Sequence, residues 1–430
     1  MGIKHLQPIA SALLVMMALL SFVHVLLPAF PAWGGGVAAW LALLLILLHH
    51  PWRQFGQFFA LAGIGALLLL WSRWQGQAFH LTDLLQQNIS LLVMLFSVSF
   101  LRLVAVPEQV ARQPLPVGRM AFFKTLLGVH ILGAVINLSI IVLMMGRYQD
   151  KQALGRNTVS LLGQGFAAAA LWSPFFAAMG VALTHAPGAS LYAVVAYGLG
   201  LNVLALGLIT LLAGGWRLQR LDNFPGYPMQ TSSLLVPVTL AVLVLVLHGL
   251  LPGITVLALV SITSILLTLC MLALGQRPQG WQPLYQHLLS SAGRMSRELA
   301  LFLGAGLLAL GLQAVLLQVG ALPWLQQFNG LTVALLLALA ILVSLIGVHP
   351  VISISVLGPV LLPLQPDHNL LAVLFLVIWS LGVVASPFSG MNVMLRSQFP
   401  LSGSDLFKWN IGYVLIMWVL ISVVFLLLLA

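Results

Sequence analysis

Val384-Ala385-Ser386-Pro387-Phe388-Ser389-Gly390-Met391 lies inside an apolar segment that runs from about Leu370 to Val393. Pro387 removes a backbone donor and collides with the preceding turn, so a helix crossing lipid does not run unbroken through it. Ser followed by Pro is also a strong helix start, with Ser as N-cap and Pro at the first helical position. The economical reading is one membrane segment made of two half-helices, the second starting at Ser386. The device recurs as Leu171-Trp172-Ser173-Pro174-Phe175-Phe176-Ala177-Ala178-Met179, so Ser-Pro-Phe occurs twice, 213 residues apart. One copy would be an ordinary proline kink. Two copies in matching positions of two halves are the pointer to a transporter site.

The rest of the chain fits that setting. It has 430 residues, of which 61% are hydrophobic and 6% charged. Long apolar runs recur from end to end, which makes it an all-α polytopic membrane protein. A transmembrane barrel would show alternating segments of about ten residues instead. No polar stretch exceeds roughly 20 residues, too short for a soluble domain. The net charge of +10 is no nucleic-acid signal, because the cations sit in short loops where they set orientation. Cys270 stands alone in an apolar run, which excludes a disulfide or a multi-cysteine metal site and leaves a packed thiol. Lys4 and the run from Ile9 to Leu27 read as an uncleaved first span.

Apolar segments fall at about 8–27, 34–49, 56–72 and 87–105, then 118–146, the first broken helix 159–184, 190–214, 232–249, 251–275 and 298–320. They continue with 331–364, the second broken helix 368–395 and 406–429. The stretch 331–364 would be about 50 Å long as one helix, too long for a hydrocarbon core of about 30 Å. It breaks at Gly347-Val348-His349-Pro350, and 118–146 has its middle at Gly128-Val129-His130. Taking both as re-entrant hairpins, with the N-terminus inside, places 16 of the 17 cations on one side, leaving Arg73 outside. Reading 118–146 as a full span would put Arg147, Lys151 and Arg156 opposite Arg112, Arg119 and Lys124 and destroy that bias. The expectation is eleven spans and two hairpins in the cytoplasmic (inner) membrane, with the C-terminus external.

Thr125-Leu126-Leu127-Gly128-Val129-His130 also resembles Ser344-Leu345-Ile346-Gly347-Val348-His349. Each precedes a Ser-Pro pair, by 43 residues from His to Ser in the first half and 37 in the second. The second broken helix is the fifth full span after the first. An odd number makes the two copies cross in opposite directions, an inverted repeat. The chain divides accordingly into scaffold helices at 1–106 and 232–320 and two transport halves at 107–231 and 321–430.

Two inverted halves, each with a hairpin followed by a broken helix, resemble the ion transporter superfamily, and its divalent anion/sodium symporters in architecture. Those symporters carry Ser-Asn-Thr at the hairpin tips, where this chain has Gly128-Val129-His130 and Gly347-Val348-His349. The resemblance covers nearly the whole chain in topology. It implies that hairpins, broken helices and the spans 190–214 and 406–429 form a mobile transport domain. The remaining spans would form a scaffold that dimerises, joined to it by arms at 107–120 and 321–330.

Four half-helix N-termini then converge, each with free N–H groups and roughly half a positive charge, an arrangement that favours an anion. The candidate substrate-binding residues are Ser173, Pro174, Phe175, Ser386, Pro387, Phe388, Ser389, Gly390, Asn392, His130, His349, Asn137 and Ser139. Ser353 and Ser355 are further polar groups in the second hairpin. His130 and His349 either carry a coupling proton or hold the anion, or else tie down the hairpin tips as neutral imidazoles. All seven acids lie in loops or at span ends, whereas cation exchangers need a carboxylate at depth. No His-Glu-x-x-His motif occurs and no acid lies near the hairpin histidines in sequence, so the chain does not read as a metalloenzyme. The expectation is a transporter and not an enzyme, with no cofactor beyond a coupling H+ or Na+. Trp281, Leu284, Tyr285, Leu288 and Leu289 form an amphipathic interfacial stretch. The reading is a secondary transporter of a small organic anion working by an elevator-type movement, in lipid, as a homodimer and without nucleic acid. The rivals are a proton-linked antiporter or exporter using the hairpin histidines, and a membrane-embedded enzyme or assembly factor on the same fold.

Overall fold

The computed structural model describes residues 6–105, 114–149, 155–229, 234–275, 281–319, 325–398 and 401–430. Parts of the two arms and of the basic loop 147–158 fall outside them, at 107–113, 321–324 and 150–154. The described helices are α1 (Leu6–Leu26), α2 (Trp33–His49), α3 (Gly56–Trp74), α4 (Leu81–Gln86), α5 (Ile89–Val98), α6 (Arg102–Ala105), α7 (Arg119–Ile136), α8 (Ser139–Gln149), α9 (Arg156–Ala168), α10 (Ala177–His185), α11 (Leu191–Gly214), α12 (Leu235–Leu250), α13 (Val256–Ala273), α14 (Gln282–Leu289), α15 (Ser291–Val319), α16 (Gly330–Leu345), α17 (Pro350–Leu361), α18 (His368–Ala385), α19 (Gly390–Gln398) and α20 (Gly403–Leu428). Among the described residues there is no strand, only an isolated bridge between Val117 and Pro225. Among the described residues, nine helical stretches are long and apolar enough to cross a membrane, and shorter apolar helices include Trp33–His49, Gly330–Leu345 and Pro350–Leu364. The chain is a multi-pass helical membrane protein.

The chain forms two compact units. The first holds residues 1–104, 246–326 and 355–364, and the second holds 105–245, 327–354 and 365–430. In the first unit α3 packs along α15, α1 along α2, and α5 along α13. Lipid gives apolar faces no reason to associate, so such pairs depend on small residues and buried hydrogen bonds. Asn88 supplies one of these, donating from Nδ2 to the Phe302 carbonyl at 2.8 Å. Ser11 supplies another, donating to the Leu289 carbonyl at 2.9 Å while accepting from the Ala292 N–H at 3.1 Å.

The second unit is built around α18. Every residue from Leu370 to Ala385 is buried, as expected of a helix that is apolar on all sides. The same pairings recur in two copies. α7 packs on α9 as α16 packs on α18, α11 on α9 as α20 on α18, and α11 on α18 as α20 on α9. The α9 and α18 helices also cross each other. At that crossing Ser380 Oγ donates to the Ala167 carbonyl at 2.9 Å, across 213 residues of sequence. Each of these two residues stands six positions before the Ser of its own Ser-Pro pair.

The breaks fall in places the sequence reading partly missed. α7 runs straight through Gly128-Val129-His130, and the first hairpin segment breaks instead at Asn137-Leu138. Asn137 has φ 61° and ψ −150°, a backbone conformation that residues other than glycine rarely adopt. The second breaks where expected, at Ile346–His349. There Gly347 adopts φ 99°, which a side chain would strain.

Candidate functional site

Neither Ser-Pro pair starts a helix, contrary to expectation. The half-helices begin later, at Ala177 and Gly390. Both copies fold into one turn. The Ser N–H closes the preceding helix, donating to Ala169 and Gly382 carbonyls at 3.0 Å in each copy. The Ser Oγ accepts from the N–H two residues on, Phe175 at 3.2 Å and Phe388 at 3.3 Å. The Ser carbonyl accepts from the N–H three residues on, Phe176 at 3.3 Å and Ser389 at 3.1 Å. Pro174 and Pro387 therefore occupy the second position of a tight turn, the other place where a fixed φ is favourable. The helix-capping role passes to Ser389, whose Oγ accepts from the Asn392 N–H at 3.2 Å.

The two turns differ in surroundings. In the first, Ser173, Pro174, Phe175 and Phe176 are all buried. Ser173 Oγ donates to the Ala134 carbonyl of α7 at 2.6 Å, and α11 closes over the turn at Gly198. A Cβ at Gly198 would stand 2.0 Å from the Leu171 carbonyl, so only glycine permits that approach. The second turn is open. Phe388 is 60% exposed and Gly390 is exposed, while Ser386, Ser389 and Asn392 are buried beneath them.

Around the second turn the chain collects its other irregular segments. A Cβ at Gly347 would lie 3.2 Å from the Phe388 ring, and one at Gly390 would lie 4.0 Å from Leu138. Both hairpin breaks thus border this turn. At Gly382, one turn before Ser386, a Cβ would meet Pro350, the first residue of α17. Three half-helix N-termini, those of α8, α17 and α19, therefore gather near Ser386–Gly390. Asn392 ties the two halves of the broken helix together. Its Nδ2 donates to the Ser386 carbonyl at 2.8 Å and toward those of Val384 and Val383 at 3.3 and 3.4 Å, leaving Oδ1 buried without a partner. Arg396, in the last turn of α19, reaches back toward the site. A Cβ at Gly403 would sit 3.3 Å from Arg396 Nη1 and 3.4 Å from Pro387 Cβ, so guanidinium and turn flank one residue.

The two histidines part company. His130 is buried among α7, α9, α11 and the first turn. Its Nδ1–H donates to the Gly165 carbonyl at 3.0 Å, and its Nε2 accepts from Trp172 Nε1–H at 2.9 Å and Asn202 Nδ2–H at 3.1 Å. With both nitrogens engaged, it is a neutral hub of the first turn and does not border the second. His349 sits in the Gly347 break, where its Nδ1 accepts from the Val351 N–H at 3.2 Å and its ring meets Trp379 edge-on at 5.1 Å. Asn137 is half-buried, its Oδ1 accepting from the Leu138 N–H at 3.1 Å. Ser139 opens α8, and its side chain is outside what the structure describes. Trp172, Asn202 and the buried pair Gln164–Asn410, bonded at 2.9 Å, went unremarked in the sequence reading. Their signal was there, as polar side chains inside apolar runs.

No protein-family model matches this chain, and no curated protein matches it. Among solved structures it is similar to the YdaH transporter of Alcanivorax borkumensis, a crystal structure described as having an unusual topology. The identity is 18%, the TM-score 0.53, and the match covers 79% of this chain and 83% of that one. The chain shares that transporter's fold.

Proposed function

We propose that this chain is a secondary active transporter of a small organic anion, held at the open Ser386-Pro387-Phe388 turn. The observation that carries the reading is the convergence there of the α19 N-terminus, both hairpin breaks and Arg396, around an exposed Phe388. Free N–H groups at helix starts favour negative charge, and Arg396 adds a full positive one. The buried Asn392 Oδ1 is an acceptor for a substrate hydroxyl or for a coupling ion, a proton carrier or Na+. An inverted repeat is supported by the twofold recurrence of helix pairings and by the Ser380–Ala167 bond between equivalent positions. In an elevator-type cycle the second unit would be the part that carries substrate. The proton-linked antiporter reading loses His130, whose nitrogens are both occupied, and keeps only His349.

Uptake of labelled carboxylates into proteoliposomes under an imposed Na+ or proton gradient tests the proposal. Gradient-driven accumulation is the expected result, and Pro387→Ala should abolish it in a folded protein by straightening the break. Turnover of substrate in detergent without accumulation in vesicles would replace the transporter with a membrane enzyme.

A further inference from the structure

The first unit gathers cations at one membrane edge. α14 is pinned there by its buried His287. The His287 Nε2–H donates to Ser99 Oγ at 2.9 Å, and Ser99 donates in turn to the Phe96 carbonyl at 2.6 Å. The ring also packs against Phe100, with centroids 4.6 Å apart. Arg294 donates to the His287 carbonyl and to Ser290 Oγ. Arg102 opens α6, and both guanidiniums lie within electrostatic reach of the His287 ring and of each other. Burial first, then Arg294 and Arg102, push the His287 imidazole down to about 3.

Both arginines are exposed. Among the described residues neither pairs with a carboxylate, the ion pair there being Arg119–Asp222. Glu298 lies beside Arg297, and Glu108 is outside the described residues. Arg102 falls near the end of the Leu81–Val104 span and Arg294 in the first turn of the Ser291–Val319 span. The cluster therefore sits at the membrane–water boundary. Alongside it Trp281 and Tyr285 are 52% and 63% exposed, as aromatic side chains are at headgroup depth.

We propose that Arg102 and Arg294 bind the phosphodiester headgroup of an anionic phospholipid. Two like charges brought to one edge by the Ser99–His287 and Arg294–His287 bonds repel one another until an anion sits between them. Guanidinium donors match phosphate oxygens in pairs. The interfacial aromatics beside the cluster favour an anion that carries its own acyl chains over free phosphate.

Native mass spectrometry of the detergent-purified chain, titrated with dioleoylphosphatidylglycerol or dioleoylphosphatidylcholine, is the test. Phosphatidylglycerol adducts should persist where phosphatidylcholine adducts are stripped. Arg102→Gln and Arg294→Gln should each weaken phosphatidylglycerol binding roughly 5-fold, the value of one basic side chain near an anionic headgroup. The Arg102→Lys and Arg294→Lys variants should retain most of it, and Arg220→Gln in the other unit should change nothing. Equal retention of both lipids by the native chain, or native-like binding by both glutamine variants, would overturn the proposal. Displacement of the lipid by millimolar inorganic phosphate would make this a free-anion site instead. If a glutamine variant loses its fold, the lipid preference of the native chain still decides.

Discussion

At the scale of single residues, the two Ser-Pro turns should answer mutation differently. Ser173 Oγ makes a buried bond to another helix, while Ser386 and Ser389 serve an open turn. Ser173→Ala is expected to lower thermal stability by about 1 kcal/mol, the usual worth of a buried hydrogen bond. Ser389→Ala removes the acceptor at the start of α19, at a local cost of about 0.5–2 kcal/mol. Its effect should appear in substrate affinity, measured by uptake, with little change in melting temperature. Equal melting temperatures for these two variants would dissolve the distinction between a closed and an open turn. Arg396→Gln should weaken anion uptake where Arg396→Lys preserves it. His130→Ala leaves Trp172 Nε1–H, Asn202 Nδ2–H and the Gly165 carbonyl without their partner, at about 1–3 kcal/mol for each group left buried. A loss of folded yield is expected. In any His130 variant that folds, the pH profile of uptake should overlay that of the native chain, since the imidazole is already fully hydrogen-bonded.

At the scale of elements, the sequence declared that helices break at the Ser-Pro pairs but misplaced where they restart. Ser-Pro serves equally as a helix start and as the first half of a tight turn, and only the bonds accepted by Ser386 Oγ and its carbonyl tell the two apart. Gly128 misled in the same way. It resembles Gly347 in sequence but lies within α7, against the Met229 side chain. Its missing Cβ serves close packing, and the turn fell to Asn137. Long apolar spans were legible because their composition alone prescribes them. The Trp172–His130–Asn202 cluster was not, because two helices and a turn, distant in sequence, assemble it. Gly198→Ala forces a methyl into the Leu171 carbonyl and should cost more than the 1–3 kcal/mol of ordinary overpacking, read as lost thermal stability. α14 should detach in acid. The folded His287 stays neutral far below the unfolded value of about 6.5, so the unfolded chain binds the extra proton first. Its share of stability is whole above pH 6.5 and falls away between about 6.5 and 3. Melting temperatures measured across that window should decline less steeply in His287→Gln.

At the scale of the whole molecule, the expected eleven spans and the basic loops behind that count would put the two termini on opposite sides of the membrane. Reporter fusions at the two ends are expected to report cytoplasm at the N-terminus and the exterior at the C-terminus. Both on one side would contradict the count of eleven spans. The bond from Ser380 to the Ala167 carbonyl ties the two broken segments to each other. It staples α18 to α9 six residues before each Ser-Pro turn. A staple so close to both turns makes them one lever. Ser380→Ala is expected to let the closed turn and the open turn shift independently, read as slower uptake by a chain with an unchanged melting temperature.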